Sequence, residues 1–488
     1  MSPAAQRRLA WGLALAVLAI YLASLGARGL NEPDEGRYAE IGREMAASGD
    51  GLIPRLNGFA HFQKPPLIYW ATAASLKLCG VNESAARLPS ALAALGTAAL
   101  TYAMGRRLLG KTGGALAALV LLGSVGYFAL SQLLTPDMLM TLWIAGALTC
   151  LVEEMHRPAA RWRWGFFLAM GLGFLTKGPM AFVVPLSAAL GATLAQRRSA
   201  APLALPWARG LALALLIGLS WFLALSLLQP ELFTYFWKYE LLQRFTSHTH
   251  GRSKPFWFFI PVILAGFLPW SVFFPSLARR AWQRLRQKTP LRPLHGLLLG
   301  WLLPPFLILS LSGSKLPTYP LPLFPGLSLL LVAWWQSRGA SPRPLVLLAA
   351  GSLALAALAA AAAPFANDRL QQQASVRPLV AALHQQPDFP AATLFAANVR
   401  AHGFEFYLGR TVAVTRDDAD IVLPLDPSDA ARVFEEIRDI EKAMSRQPAA
   451  YGLIRRGDFG KKFPSTRWKV VAQAGDFFLI GKIPAPAD

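Results

Sequence analysis

A short stretch near the amino terminus concentrates side chains that can do chemistry. Residues 31–70 read NEPDEGRYAEIGREMAASGDGLIPRLNGFAHFQKPPLIYW and carry more acids, bases and aromatic rings than a simple connecting loop requires. A carboxylate at Asp34 can orient or deprotonate an acceptor group. A lysine beside a rigid Pro-Pro step, Lys64, can hold a phosphate as a fixed point charge. The stretch therefore predicts acid–base or phosphate chemistry.

Each of these groups also has a structural explanation. Acidic residues complement the dipole at the start of a helix, and we favour this explanation, or a supporting role, for Glu35, Glu40 and Glu44. For Asp34 we favour function. A lysine beside an apolar stretch commonly reaches towards the membrane interface, so the two explanations are balanced for Lys64.

Two similar motifs follow later in the chain. Asp137 lies in Thr-Pro-Asp, where it is either a second site carboxylate or a helix cap. Lys177 lies in Thr-Lys-Gly-Pro, where it either neutralises an anionic headgroup or ends a helix. We favour a functional role for both.

Two further polar stretches are basic or aromatic. The first contains His250 and Arg252, and bases outnumber acids in it, which favours a phosphate or an anionic lipid over a metal ion. The second places Lys315 and Tyr319 between prolines, where an ammonium and a phenol suit a sugar phosphate. The alternatives are a loop that touches headgroups and an anchor at the membrane interface.

The composition indicates how these motifs are positioned. The chain of 488 residues is 54% hydrophobic and 15% charged, with mean hydropathy +0.38, whereas a soluble protein carries about 25% charged residues. Runs of about 20 apolar residues recur, which predicts a polytopic α-helical membrane protein. The net charge of +21 is carried by short basic clusters between these runs, so we expect no nucleic-acid partner. A disulfide is not expected, because Cys150 lies inside an apolar run.

Hydropathy predicts eleven membrane spans. They are Leu9–Leu25, Ala85–Ala103, Gly114–Leu134, Met138–Val152, a span from Trp164 to a break at Thr176, Met180–Ala195, Gly210–Leu228, Phe256–Leu277, Leu294–Leu311, Leu321–Trp335 and Pro344–Ala363. The apolar stretch Pro66–Leu78 is too short to cross and predicts an interfacial helix. With Arg7 and Arg8 inside, every arginine-rich loop falls inside and every polar motif outside, including the loops 31–81 and 229–255. We therefore expect one composite site on the outer face.

The last part of the chain has a different composition. Residues 1–363 form the predicted membrane domain, and residues 364–488 a small outer α/β domain. The predicted strands and helix of this tail are Thr393–Ala397, Thr411–Thr415, Ile421–Leu425, an amphipathic helix over Pro427–Met444, Lys469–Ala472 and Phe477–Ile480. No catalytic motif occurs in it, so we assign it no chemistry.

The motifs together resemble a known family. DEGRYAEIGREM, FQKPPL, NESAARLPSAL, TPDMLM, LTKGP, RFTSxxHxR and SGSKLPTYPLP occur in this order across roughly residues 30–323. They are similar to motifs of the bacterial lipid A aminoarabinose transferases, which belong with the protein O-mannosyltransferases among GT-C type integral-membrane glycosyltransferases. The combination is specific, although no single piece is.

The resemblance implies a reaction and its substrates. It implies an inverting transfer of a sugar from a polyprenyl (undecaprenyl) phosphate carrier to lipid A, or another envelope acceptor, on the periplasmic face of the bacterial inner membrane. Asp34 matches the family's essential first-loop aspartate, Lys64 a lysine that holds the donor phosphate, and Asp137 a second loop aspartate. The family has thirteen spans, two more than hydropathy predicts here.

The remaining candidate residues are carried over as substrate-binding. His250, Arg252, Lys315 and Tyr319 fall in motifs that line the family's cavity, and Arg37 and Lys177 are placed with them. Cations among these residues would stabilise the charge of the departing polyprenyl phosphate. Membrane lipids would surround the spans and shelter the polyprenyl tail.

One residue departs from the family pattern. The family's Phe-Glu-Lys-Pro reads Phe62-Gln63-Lys64-Pro65 here, and its glutamate has been associated with a metal contact. Glutamine offers only a neutral carbonyl oxygen, which is a poor ligand for zinc. No cofactor is therefore certain, and the substitution argues against a divalent metal at this place. It is also compatible with a sister enzyme that uses another sugar or acceptor.

Three other functions stay open from the sequence. A related enzyme could transfer another sugar, such as mannose, to protein or to another envelope glycan. A transporter for lipid-linked sugars would need polar residues deep in the spans, whereas the motifs here stop at one face. A non-catalytic membrane anchor would leave the clustered motifs unexplained and would tolerate changes at Asp34 and Lys64.

Overall fold

The computed structural model describes residues 3–196, 203, 205–236, 254–287, 289, 291–362, 375–418 and 421–484. His250 and Arg252 lie outside these ranges. The helices are α1 (Pro3–Ala23), α2 (Asp34–Ser48), α3 (Leu67–Cys79), α4 (Glu83–Leu122), α5 (Val125–Ser131), α6 (Pro136–His156), α7 (Ala160–Lys177), α8 (Met180–Gln196), α9 (Trp207–Leu228), α10 (Glu231–Thr234), α11 (Phe259–Gly266), α12 (Phe274–Arg286), α13 (Pro293–Leu311), α14 (Phe324–Gln336), α15 (Arg343–Ala362), α16 (Arg377–His384), α17 (Gly403–Leu408), α18 (Pro427–Ala430) and α19 (Ile437–Ser445). The strands are β1 (Arg55–Leu56), β2 (Phe59–Ala60), β3 (Thr393–Ala397), β4 (Ala413–Thr415), β5 (Val433–Phe434), β6 (Ala450–Arg455), β7 (Trp468–Ala474) and β8 (Phe477–Lys482).

The chain forms two compact units that are not continuous in sequence. The helical unit contains Met1–Leu22, Lys64–Leu67 and Ser90–Ala359. The loop–tail unit contains Ala23–Gln63, Ile68–Pro89 and Ala360–Asp488. Most of the first loop is thus grouped with the carboxy-terminal residues, while the predicted domain boundary after residue 363 stays a prediction.

The chain is a multi-pass membrane protein. Among the described residues, five helices are long and apolar enough to cross a membrane, namely α4, α6, α9, α13 and α15. A sixth is possible if α11 and the residues Trp270–Arg286, which are bent by 111°, form one broken span. The predicted span Phe256–Leu277 is therefore not a straight helix. Hydropathy predicts eleven spans because it measures apolar composition, whereas several apolar helices here are shorter than a full crossing.

The helix α4 reverses direction at Gly110. It contains the predicted span Ala85–Ala103 and only the first part of the predicted span Gly114–Leu134, which continues through α5. Gly110 has φ 80° and ψ 173°, a conformation that interrupts a helix. Beyond it, a Cβ on Gly114 would lie 2.6 Å from the backbone oxygen of Tyr102. In a continuous helix these two residues would be about 18 Å apart, so the chain folds back on itself. The basic turn predicted between the second and third spans is thus a tight helical hairpin.

Small residues let two apolar helices approach closely in the helical unit. A Cβ on Gly191 of α8 would lie 2.2 Å from the backbone oxygen of Gly296 in α13. One turn further along α13, a Cβ on Gly300 would lie 2.2 Å from the backbone oxygen of Ser187. Backbone-to-backbone packing of this kind is typical of helices in lipid, where small residues replace hydrophobic burial as the source of stability.

The hairpin of α6 and α7 separates two kinds of charged group. At the end where α6 stops, Arg107 pairs with Glu153 at 2.7 Å and Arg163 pairs with Glu154 at 2.7 Å. At the other end, where α6 starts and α7 stops, lie Asp137 and Lys177. Since a 21-residue helix is about 30 Å long, these groups lie far apart. The two ends of this hairpin thus separate the arginine pairs from the Thr-Pro-Asp and Thr-Lys-Gly-Pro motifs, as the sequence predicts.

The loop–tail unit contains a six-stranded mixed sheet in the order β5-β4-β3-β6-β8-β7. The strands β5, β4, β3 and β6 are parallel, and β8 pairs antiparallel with β6 and β7. One face packs on α16 and α17, and the other on α19 and the aromatic rings of Phe463 and Trp468. The predicted fold class, a polytopic helical protein with a small C-terminal α/β domain, is confirmed.

The predicted elements of the tail are largely present, with two errors. Residues 421–425 form no strand, because the edge beside β4 is occupied by β5. The predicted helix Pro427–Met444 is divided into α18, β5 and α19. The strand β6 at the centre of the sheet was not predicted.

The first loop is attached to the tail within the loop–tail unit. Asn57, in the turn of the β1–β2 hairpin, accepts a hydrogen bond from the backbone N–H of Val412 at 2.8 Å and donates one to its carbonyl oxygen at 3.0 Å. Phe59 is buried in the core of the tail. The guanidinium of Arg432 lies 4.9 Å from the centre of the Phe59 ring. The first loop is thus an integral part of this unit.

Candidate functional site

Three residues from separate motifs meet in the helical unit. Asp137 lies in the first turn of α6, and Lys177 is the last residue of α7. The Lys177 ammonium donates to the carboxylate of Asp137 and lies 4.7 Å from the centre of the Tyr319 ring. Tyr319 in turn stacks on Phe259. The side chain of Asp137 is only 4% exposed and that of Lys177 15%, so the pair is largely shielded from water.

The other lysines predicted for this site are placed differently. Lys315 is buried and donates to the backbone oxygen of Ser312 in its own loop. Lys64 is half-buried and belongs to the helical unit. For Lys315 the structural role, fixing the loop before Tyr319, is the one the geometry displays.

The Asp137–Lys177–Tyr319 group can hold an anion at a defined place. An ammonium has three N–H donors, so Lys177 can contact Asp137 and a phosphate oxygen at once. Asp137 fixes the position of the ammonium, and the Tyr319 ring adds a cation–π contact. Because the pair is neutral as a whole, it would bind a phosphate by hydrogen bonds more than by net charge.

Asp34 lies in the loop–tail unit, in the first turn of α2. Its side chain is 45% exposed and accepts a hydrogen bond from Arg37 at 2.6 Å. Arg37 also donates to the amide oxygen of Gln63 at 3.5 Å. Asp34 therefore offers an accessible carboxylate whose orientation is set by Arg37, as an acceptor-orienting group requires.

A buried ion cluster fixes the chain next to Asp34. Glu35 accepts hydrogen bonds from Arg87 at 2.8 and 3.0 Å and from Arg28 at 2.8 Å. Burial alone would raise the pKa of the Glu35 carboxyl, but the charges and hydrogen bonds of Arg87 and Arg28 outweigh it and lower this pKa to about 2. Glu35 is therefore a permanent carboxylate that anchors the start of α2.

Arg87 also organises the backbone before α2. It is 1% exposed and donates to the carbonyl oxygens of Leu25 at 2.6 Å, Arg28 at 2.8 Å and Gly29 at 2.8 Å. Sequence reasoning assigned no role to Arg87, although NESAARLPSAL was part of the resemblance. A single arginine followed by an apolar helix was the available signal, because a buried charge must be paired.

The pKa of the Glu32 carboxyl is shifted in the opposite direction to that of Glu35. Glu32 Oε1 accepts from the backbone N–H of Gly403 at 2.8 Å, while Oε2 is buried with no hydrogen-bond partner among the described residues. Burial, together with the nearby charge of Glu405, raises the pKa of Glu32 well above its ordinary value of 4.5. A Cβ on Gly403 would lie 2.1 Å from Glu32 Oε1, so a larger residue there would displace the Glu32 carboxyl.

The residues do not fit the metal contact that the resemblance suggests. The described part of the chain contains no group of three or more His, Cys, Asp or Glu side chains that could hold a metal ion. Gln63, which replaces the family glutamate, directs its amide oxygen at Arg37. We therefore derive no step through a metal.

Comparisons with known proteins identify relatives of this chain. Residues 63–223 match the family described as dolichyl-phosphate-mannose-protein mannosyltransferase. The undecaprenyl phosphate-alpha-4-amino-4-deoxy-L-arabinose arabinosyl transferase of Edwardsiella ictaluri is 36% identical over 343 residues, 68% of this chain and 60% of the relative. Its counterpart 1 in Sodalis glossinidius is 38% identical, over 66% of this chain and 59% of the relative. The chain thus spans about 60% of the length of these curated relatives.

Solved structures share the fold. A crystal structure of ArnT from Cupriavidus metallidurans bound to undecaprenyl phosphate matches with a TM-score of 0.81 and 24% identity, over 99% of this chain and 100% of that one. The archaeal oligosaccharyltransferase of Archaeoglobus fulgidus matches with a TM-score of 0.50 and 13% identity, over 91% of this chain and 69% of that one. At these identities the likeness establishes the fold alone.

Removing Arg87 should destabilise the protein through the carboxylate it leaves behind. In Arg87→Met we expect a loss of about 3 kcal/mol of unfolding free energy, because a buried ion loses its main partner. The double variant Glu35→Met, Arg87→Met should recover part of this loss, since neither buried charge then remains and the guanidinium of Arg28, a quarter exposed, is still accessible to water. The measurement is the unfolding temperature of the full chain in detergent. A double variant no more stable than Arg87→Met would contradict the assigned role of the Glu35 charge.

Glu32 should make stability depend on pH. Because its pKa is raised in the folded state, the folded protein keeps a proton that the unfolded chain has lost above pH 4.5, and stability falls as the pH rises through this window. Glu32→Gln imitates the protonated carboxyl and should raise the unfolding temperature at about pH 7 but not at about pH 4.

The control for this prediction is Glu435→Gln, which removes an exposed carboxyl from the same unit. It should shift the unfolding temperature little at either pH. An equal shift at both pH values in Glu32→Gln, or a lower unfolding temperature at neutral pH, would show that the Glu32 carboxyl is not held in its protonated form.

Proposed function

We propose that the chain belongs to the integral-membrane glycosyltransferases that include the aminoarabinose and protein mannosyl transferases, and that it transfers a sugar from a polyprenyl phosphate carrier. The proposed donor is undecaprenyl phosphate aminoarabinose, and the proposed acceptor is a phosphate of lipid A. The transfer takes place on the periplasmic face of the bacterial inner membrane. The meeting of Asp137, Lys177 and Tyr319 is the observation that carries this proposal.

The Asp137–Lys177–Tyr319 group suits the donor phosphate. An oxygen of the acceptor phosphate attacks the anomeric carbon of the sugar, and the bond from that carbon to the carrier phosphate breaks. The departing carrier phosphate takes the electron pair, and its charge needs a donor placed in advance. Lys177, held by Asp137 and largely shielded from water, is such a donor. Lys64 is a second candidate for the same role.

Asp34 serves the acceptor in this proposal. An ionised acceptor phosphate needs no general base, so the role of Asp34 is to position the acceptor through hydrogen bonds to its hydroxyl groups. An accessible carboxylate oriented by Arg37 suits this role. The ion cluster of Glu35 and Arg87 keeps the Asp34 backbone in place.

A second candidate function is the transfer of another sugar to protein. It is favoured by the match of residues 63–223 to the mannosyltransferase family. The similarity to the aminoarabinose transferases supports the first proposal and covers more of the chain, since the alignment with the Edwardsiella protein extends over 343 residues. An assay with both kinds of acceptor therefore separates the two candidates.

The test uses the purified full chain in detergent, with undecaprenyl phosphate aminoarabinose and lipid A as substrates and mass spectrometry of the product. We expect transfer by the unaltered chain and a fall in kcat/KM of about 100-fold in Asp34→Asn, since misplacing a reactant by about 1 Å can cost that factor.

The matched control is Asp50→Asn in the same loop. Asp50 accepts hydrogen bonds only from the backbone N–H groups of Leu52 and Ile53 among the described residues, and an asparagine oxygen can accept them too. Its activity should equal that of the unaltered chain. Full activity in Asp34→Asn would remove Asp34 from the mechanism, and transfer to a peptide instead of lipid A would select the second candidate.

A further inference from the structure

The loop–tail unit contains a cleft of about 630 Å³ that the mechanism above does not use. It lies between the second half of α2, the carboxyl end of α3, the start of α4 and the tail helices α16 and α17. Its volume is within the range of about 300–1,000 Å³ that is usual for small-molecule sites. Because first-loop and tail residues both line it, the cleft exists only through the attachment of the loop to the tail.

The charges lining the cleft are unevenly balanced. Arg43 is neutralised by Glu40, to which it donates at 2.6 and 2.7 Å. Arg377 has a half-exposed side chain and pairs with Glu83 at 3.2 Å. Lys77 is exposed and has no ion pair or side-chain hydrogen bond among the residues that the structure describes. The cleft therefore has an excess of positive charge, which favours an anionic ligand.

Glu83 fixes the guanidinium of Arg377 in place through their ion pair. It also accepts a hydrogen bond from the phenol of Tyr407 at 3.1 Å, and this phenol accepts one from the backbone N–H of Leu30 at 2.8 Å. Glu83 itself is 8% exposed. The guanidinium of Arg377 is thus held at the cleft wall by a buried carboxylate, so it is preorganised for a second anion.

The cleft also has an apolar side that continues to an exposed apolar surface. Leu76, Phe406 and Leu408 contribute to its lining. Val81, which lines the cleft, is 56% exposed, and Leu78, the next residue after Lys77, is 85% exposed. These side chains extend from the end of α3, the helix that the sequence predicts to lie in the membrane interface. A ligand with an anionic headgroup and hydrocarbon chains matches both sides.

We propose that this cleft holds a phosphorylated headgroup of the acceptor lipid, with Lys77 and Arg377 as phosphate ligands and the end of α3 against its acyl chains. The inference rests on the proposed function, which assigns the carrier phosphate to the Asp137–Lys177–Tyr319 group. The cleft is lined by none of these three residues, so we assign it to the other substrate. The tail, to which the sequence assigns no chemistry, becomes part of acceptor selection.

The test compares Lys77→Glu with Lys469→Glu in the full chain in lipid nanodiscs. Both lysines are exposed, belong to the loop–tail unit and undergo the same charge change, but only Lys77 lines the cleft. We expect the KM for lipid A to rise about tenfold in Lys77→Glu, because a charge-assisted phosphate contact is lost and repulsion is gained. The value of kcat and the KM for the donor should stay unchanged, and Lys469→Glu should behave like the unaltered chain.

A binding measurement makes the result independent of transfer activity. Lipid A, lipid A from which the phosphates have been removed, and phosphatidylglycerol are titrated against each chain. Weaker binding of lipid A in Lys77→Glu, with little binding of the phosphate-free form, supports the cleft even if no sugar is transferred, in which case only the proposed function fails. Equal losses for lipid A and phosphatidylglycerol, or no loss for either, would overturn the assignment to the acceptor.

Discussion

The pairing of one buried carboxylate with two arginines sustains the part of the molecule where catalysis is proposed. Arg87 and Arg28 balance the charge of Glu35, which is buried together with Arg87, and Arg87 also holds the backbone that leads into α2. A buried charge without a partner is strongly destabilising, so none of these residues can change alone without moving the others. Asp34, the next residue along the chain, depends on this pairing for its place while its own side chain stays accessible.

In both compact units, buried and half-buried charged groups are held by partners of opposite charge. In the helical unit, Asp137 fixes Lys177 at the end of a helical hairpin, and the arginines pair with glutamates at the opposite end. In the loop–tail unit, Glu83 fixes Arg377, and Gly403 leaves room for Glu32. Lys177, Arg377 and Asp34 are each positioned by a partner of opposite charge, whereas Lys77 is exposed, which fits a lipid headgroup.

The sequence predicted the fold class and named three residues that the structure brings together, while their role in a site stays a prediction. Apolar runs and β-branched alternation are local signals, so the helical nature of the chain and strands such as Thr393–Ala397 could be predicted. Asp137, Lys177 and Tyr319 could be brought together because the alternation of spans, with arginine-rich loops inside, places all three motifs on the same side of the membrane. The reversal at Gly110 depends on the backbone conformation of one residue, which a hydropathy average over many residues does not detect. The attachment of Asn57 to Val412 spans 355 positions, and no periodicity reports such a contact, although Asn57-Gly58 is a hairpin signal.

The measurement that tests the account most directly is mass spectrometry of lipid A from cells that lack this protein, cells that produce it, and cells that produce Asp34→Asn. The account predicts a mass increment of one aminodeoxypentose per modified phosphate in the second sample and its absence in the first and third. Unchanged lipid A in all three samples would contradict lipid A as the acceptor. An increment that persists in Asp34→Asn would contradict the role given to the carboxylate beside the buried ion cluster.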